Sequence, residues 1–237
     1  MISIRKADDR GVTDLGWLDS RHTFAFGRGI PRGDGLDPMG FRGLRVINDD
    51  RVAPGMGFDT HAHDNMEIVS YVVEGELAHK DSMGTQETIS RGGFQLTSAG
   101  SGITHSEFNP SNEHGTRFIQ IWIKPGKLDT GPRYDRLDAD AVASRNALRL
   151  VASPDGQDGS MQIGADAMIW VAFLDENESV LAPVGAGRAG FVQVVRGTVR
   201  VMGETLEEGD GLAIEDVEAA RIAAQEGGAE ILVFGLS

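Results

Sequence analysis

Apolar residues along this chain come in short runs rather than at helical spacing. The stretches 66–73 (MEIVSYVV), 92–99 (GGFQLTSA), 117–123 (RFIQIWI), 168–174 (MIWVAFL), 190–195 (GFVQVV), 198–202 (TVRVM) and 229–235 (AEILVFG) are rich in β-branched and aromatic residues. Each has strand length and turn-forming neighbours, so each is predicted as a strand. Few segments carry helical periodicity, and residues 138–149 (DADAVASRNALR) are the best helix candidate. Many short strands with glycine-marked turns predict an all-β protein, built as a barrel or sandwich.

The pattern repeats weakly. YVVEGEL (71–77) matches QVVRGTV (193–199), with Gly75 opposite Gly197. A glycine turn follows each, RGGFQL at 91–96 and EGDGLAI at 208–214. Each half then closes on an apolar strand, FIQIWI or AEILVFG. Two copies of one β-unit are expected, over residues 1–130 and 131–237. Residues 124–165, with Pro125, Gly126, Gly131, Pro132 and SPDGQDGS (153–160), read as their connection.

Composition narrows the partners. The 237 residues suit one large or two small domains, and 32 of them are glycine. A net charge of −14 repels nucleic-acid phosphates and anionic membranes, so no direct nucleic-acid or membrane partner is expected. The absence of cysteine removes disulfides, thiolate ligands and a cysteine nucleophile together. MISIRKADDRG at the N-terminus is charged throughout and has no apolar signal core. The longest apolar stretches, FIQIWI (118–123) and ILVFGL (231–236), are too short to cross a bilayer. A cytoplasmic, soluble monomer is expected.

The histidines bring in chemistry. His61 and His63 stand one residue apart ahead of a predicted strand, and His105 and Glu107 repeat that spacing in GSGITHSEFN (100–109). Residues i and i+2 of a strand project from one face, so each pair can aim at one point. Three imidazoles and a carboxylate would then converge on one divalent transition metal ion. That ligand set suits Fe(II), the first choice here, and also Ni, Cu, Mn or Zn. A lone strand histidine is usually structural; two such pairs reverse that expectation. A closed, non-catalytic metal remains the bland alternative.

The residues also resemble a known family. Gly55, five residues, His61, Ala62, His63, three residues and Glu67 are similar to the first cupin motif. Gly102, two residues, His105, three residues and Asn109 are similar to the second. A glutamate two residues after the second-motif histidine resembles the mark of pirins. WLDSRHTFAFG (17–27), DSMG (81–84) and SAGSGITHSEFNPS (98–111) are similar to stretches of bacterial pirin-like proteins. The likeness is specific between 55 and 124 and loose after about 165.

The resemblance implies a bicupin: two antiparallel, jelly-roll-like β-barrels packed face to face, with metal only in the first. The second half agrees, because no histidine follows His114 and Pro183 and Gly185 align with His61 and His63. The later site maps near ARIAA (220–224), which offers no ligand. The resemblance further implies a quercetin 2,3-dioxygenase-like reaction on a flavonol or similar aromatic, with dioxygen. Glu107 would be both ligand and base. Glu67 is expected either to orient a ligand imidazole or to sit on the surface. The rival classes are a metal- or redox-sensing regulator that binds another protein, as eukaryotic pirin does, and a Lewis-acid isomerase or hydrolase. His22 is expected to pack between the N-terminal segment and a barrel, His79 and His114 to be solvated, and Trp122, Phe94, Phe118 and Phe191 to be core. Phe58, Met66 and Tyr71 lie closer in sequence to the site, which leaves open whether they line it or pack in the core.

Overall fold

The computed structural model describes residues 1–26, 30, 34–185 and 187–237. Gly27, the last residue of the family-like stretch 17–27, lies outside them.

The first half contributes β1 (Ile2–Arg5), β2 (Gly11–Asp14), β3 (Leu18–His22), β4 (Leu44–Val52), β5 (Gly57–His63), β6 (Glu67–Glu74), β7 (Glu76–Asp81), β8 (Gln86–Ser90), β9 (Phe94–Ser98), β10 (Ile103–Phe108), β11 (Thr116–Ile123) and β12 (Arg133–Leu137). A single helical turn, α1 (Ala139–Val142), leads to the second half. There follow β13 (Arg149–Ser153), β14 (Met161–Gln162), β15 (Ala167–Leu174), β16 (Ser179–Pro183), β17 (Ala189–Val201), β18 (Glu204–Leu206), β19 (Gly211–Glu215) and β20 (Ala219–Leu236).

These strands form open sheets of jelly-roll type rather than closed barrels. The first half has a seven-stranded sheet in the order β12-β9-β6-β11-β4-β3-β2, and a four-stranded sheet, β5-β10-β7-β8. The second half is one sheet, β1-β19-β17-β20-β15-β13-β14, with β16 beside β20 and β18 beside β17. The chain's first strand therefore belongs to the sheet of its second half, where Ile4 pairs with Leu212.

The two large sheets face each other across a shared apolar core. Val69, Tyr71, Ile119 and Ile121 from the first half meet Ile169, Val171, Leu232 and Phe234 from the second. Strand alternation dictates this: on β6, Val69, Tyr71 and Val73 point to the partner sheet while Val72 points into the first half's own interior. Buried polar pairs fix the orientation. Arg117 reaches Asp49 at 2.8 Å and the Val195 carbonyl at 3.0 Å, and the Tyr71 hydroxyl donates to Glu230 at 2.6 Å.

Two expectations need correction. The helix predicted over 138–149 shrinks to Ala139–Val142, and Arg149 starts a strand. Asn146 adopts φ of 57°, outside helical space, and its amide pairs with Asp175 in both directions (2.9 and 2.8 Å). That tertiary pairing outweighs a modest helix propensity. The segments 190–195 and 198–202 also join as one strand, β17, which bends through irregularities around Arg196 and Val199.

Candidate metal centre

The site is built on the inner face of the four-stranded sheet. In the antiparallel pair β5–β10, His61 lies opposite His105 and His63 opposite Ile103. In the pair β10–β7, Glu107 lies opposite His79 and His105 opposite Asp81. Opposed residues share a face, so all these polar groups turn inward together. The rings of His61, His63 and His105 stand 4.5 to 4.9 Å apart between centroids.

Two overlapping groups of metal-ligating atoms result, each within 4.8 Å of one another. One is His61, His63 and His105; the other is His79, His105 and Glu107. The three predicted imidazoles thus come together as expected. Glu107 is grouped with His105 and with His79, the residue expected to be solvated. His79 is instead buried, because it faces inward from β7 and donates from Nε2 to Asp81 at 3.1 Å. Of its charged sequence neighbours, Lys80 is exposed but Asp81 turns inward with it, so their charge gave a misleading signal. His114 is exposed, as expected.

The ring chemistry suits a cation. His61 Nδ1 lies 2.7 Å from the Asp59 carbonyl, which can only accept, so Nδ1 carries the proton and Nε2 is left to ligate. Burial, reinforced by the neighbouring rings of His105 and His61, pushes the His63 imidazole down to about 4. Burial and the rings of His61 and His79 push His105 down to about 3. Both are therefore neutral, the form a metal needs. Among the described residues His105 is buried with no hydrogen-bond partner at either ring nitrogen, and His79 lacks one at Nδ1. A buried polar atom left unpaired costs about 1–3 kcal/mol, and a bound cation supplies the missing partner. The residues present fit one metal ion.

Glu107 is held by three donors. Oε1 accepts from Ser70 Oγ at 3.1 Å and Gln95 Nε2 at 2.7 Å; Oε2 accepts from Gln120 Nε2 at 2.7 Å. Gln95, Ser70 and Gln120 are opposed neighbours across β9, β6 and β11, so they form one polar row. Sequence reasoning missed all three. Their signal was available: each is a polar residue interrupting an apolar strand, in FQL, VSY and IQI. Three of the roughly four lone-pair sites of a carboxylate are thereby filled.

A cleft of about 220 Å³ opens over this cluster, with His61, His63, Glu107, Asp50, Phe58 and Trp122 among its walls. Trp122 is half-buried rather than core. Its ring stands 4.9 Å from His63 and 5.2 Å from Phe26, edge to face. Phe94, Phe118 and Phe191 are core. Phe58 lines the cleft; Tyr71 lies in the core between the two large sheets. His22 also lines the cleft but is bonded to Asn48 at 2.7 Å and Thr13 at 2.9 Å, and it belongs to neither group of metal-ligating atoms. Asp50, also missed by sequence reasoning, is fully buried. Burial, with Asp49 and Glu107 nearby, pushes its carboxyl up to about 7.

Glu67 is neither surface nor an imidazole partner. It shares strand parity with Val69 and Tyr71, so it points away from the cluster towards the second half. There it accepts from Ser98 at 2.7 Å and from the Gly164 amide at 3.0 Å. Burial raises its carboxyl above the ordinary range.

Comparison with known proteins agrees with this geometry. The pirin family model matches residues 4–123, and a model described as a quercetinase C-terminal cupin domain matches residues 150–236. A curated Escherichia coli K12 protein called quercetin 2,3-dioxygenase is 44% identical over 238 residues, covering 100% of this chain and 99% of its own. The crystal structure of YhhW from Escherichia coli superposes with a TM-score of 0.93 at 42% identity, covering 100% of this chain and 98% of that one. A second, of the bacterial pirin YhhW from Escherichia coli in complex with nickel(II), gives 0.90 at 42% identity, covering 100% and 99%. No helix among the described residues is long and apolar enough to cross a membrane.

Proposed function

This chain belongs to the pirin family, and on that footing we propose that it is a metal-dependent oxygenase of the quercetin 2,3-dioxygenase kind. Its substrate would be a flavonol or a similar hydroxylated aromatic, with dioxygen as co-substrate. His61, His63, His105 and Glu107 would hold one divalent ion, for which Fe(II), Ni, Cu, Mn and Zn all suit the donor set. When bound, such an ion supplies a Lewis-acid anchor for a substrate oxygen and, if redox-active, a means of engaging dioxygen.

The observation that carries this reading is the convergence of three imidazoles, with the buried His105 lacking any hydrogen-bond partner, beside a carboxylate at the foot of an aromatic-walled cleft. The residues divide the remaining work. Trp122 and Phe58 present apolar surfaces to a flat ring. A cleft of about 220 Å³ is smaller than the roughly 300–1,000 Å³ of ordinary ligand pockets. It would take the hydroxylated ring while the rest of the molecule projects past the exposed Phe26. Glu107 is the proposed acceptor of the hydroxyl proton. With three donors already on its oxygens, its one remaining site serves the ion or the proton, but not both at once. Glu107 would therefore act either as a ligand of the ion or as the proton acceptor at that one site.

The test is anaerobic purification, elemental analysis and an oxygen electrode with a panel of flavonols. Metal at one equivalent and flavonol-dependent oxygen uptake, both lost in His105→Ala, are expected. Uptake that persists in a metal-free His105→Ala protein ends the proposal. Bound metal with no uptake on any flavonol favours a metal-dependent binding protein instead.

A further inference from the structure

Behind the three donors to Glu107 stand two more. Trp122 Nε1 lies 3.1 Å from Gln120 Oε1, and the Tyr134 hydroxyl lies 3.1 Å from Gln95 Oε1. An amide side chain has a donor end and an acceptor end, and surrounding partners decide which end faces where. For Gln120 both neighbours are unambiguous. The indole N–H can only donate, so the amide oxygen must face Trp122. The amide nitrogen then faces Glu107 Oε2 at 2.7 Å. For Gln95 the logic runs from the other end. The carboxylate can only accept, so Nε2 faces Glu107 Oε1 at 2.7 Å. The oxygen then faces Tyr134, whose hydroxyl must donate.

Two relays of the same polarity therefore reach the two oxygens of one carboxylate, from β11 and β9 on either side of β6. Flipping either amide would set its oxygen against a carboxylate oxygen. We propose that Trp122 and Tyr134 are positioning residues that lock Gln120 and Gln95 with their donor ends on Glu107, so that this carboxylate offers the metal one fixed lone-pair site. The proposal rests on the reading of Glu107 as a ligand. Groups behind a ligand commonly set its orientation and basicity in this way.

The two aromatic residues differ in one useful respect. Trp122 also lines the cleft, so changing it would disturb substrate contacts as well. Tyr134 is absent from the cleft wall and packs beside His79, with ring centroids 4.8 Å apart. Tyr134→Phe removes one hydroxyl and touches Glu107 only through Gln95.

The experiment loads wild type, Tyr134→Phe, Trp122→Phe, Gln95→Leu, Gln120→Leu and Glu107→Gln with Ni(II) and, separately, Co(II). Affinity is read by competition with a chromophoric chelator, and ligand geometry from the Co(II) visible bands. The glutamine variants should weaken Ni(II) binding about 10–100-fold. The two Phe variants should weaken it about 2–10-fold, the scale of one hydrogen bond, and should shift the Co(II) bands in the same sense as their own glutamine variant. Tyr134→Phe made on top of Gln95→Leu should add nothing. Wild-type bands in both Phe variants, or additive losses in the double variant, overturn the relay while leaving Glu107 as a ligand. Wild-type affinity in Glu107→Gln removes Glu107 from the ligand set, and so fails the underlying reading.

Discussion

The two halves of this molecule are one β-unit used in opposite ways. The sheet β5-β10-β7-β8 has its counterpart in β16, the first part of β20, the last part of β17, and β18, paired in the same order. Gly75 and Gly197 stand at matching bends, with φ of 71° and 76°. Yet the inner face differs completely. In the second half it carries Val180, Ala182, Ala220, Ile222 and Ala224, which pack into an apolar core. In the first half the same face carries His61, His63, His79, His105 and Glu107, and the interior core is reduced to a few residues such as Val72, Leu77, Ile89 and Phe118. Hydrocarbon packing needs only shape; the polar interior needs every donor matched to an acceptor. One copy is packed with hydrocarbon, and the other gathers the side chains that could hold a metal ion.

That contrast can be broken from either side. The largest effect is expected from Ile222→Ala in the apolar copy. It should cost about 2–5 kcal/mol in denaturant unfolding, the range for truncating a buried aliphatic chain, with metal content unchanged. An equal loss of metal would show that the halves do not divide their work.

Asp50 tests the polar copy. Its carboxyl is raised from 3.8 to about 7 in the folded protein, so the folded state binds that proton more tightly than the unfolded chain does. Although the depressed imidazoles of His63 and His105 act in the opposite sense, the Asp50 contribution to the stability of the metal-free protein should therefore be highest below about pH 4. It should fall as pH rises towards 7 and level off above it. The drop is on the order of 4 kcal/mol at most, at about 1.36 kcal/mol per unit. Asp50→Asn should flatten this limb and stabilise the metal-free protein at pH 8. An unchanged limb in thermal unfolding across pH would remove Asp50 as its source.

The smallest effect separates the two bends. A Cβ on Gly197 would meet the Gly228 carbonyl at 2.1 Å, whereas one on Gly75 would first meet the Thr116 hydroxyl at 2.8 Å. Both alanine variants strain a left-handed residue, at about 1–3 kcal/mol each. Gly197→Ala should sit at the upper end and Gly75→Ala at the lower; the reverse order would show that backbone proximity does not govern them.

Much of this was legible in the residues. Strand positions followed from runs such as FIQIWI, because a sheet buried on one or both faces demands β-branched and aromatic side chains. His61, His63 and His105 could be brought together on paper because i and i+2 share a face, and β5 and β10 do pair with His61 opposite His105. The failures at the site share one cause. Glu67 was misplaced because strand parity says which residues share a face, not which face is inside. His79 was misjudged because exposure depends on what covers a strand, and Asp81 in AHKDS is itself buried as its partner.

The sequence by itself determined that there are two β-units, that only the first carries histidines at strand spacing, and that these histidines can meet. These are local facts, set by alternation along single strands. Only the tertiary structure decided that Ser70, Gln95 and Gln120 fall in one row behind Glu107, and that Trp122 and Tyr134 orient the two amides. Those partners come from strands far apart in the chain, and their meeting depends on sheet order and register, which packing of the two large sheets fixes.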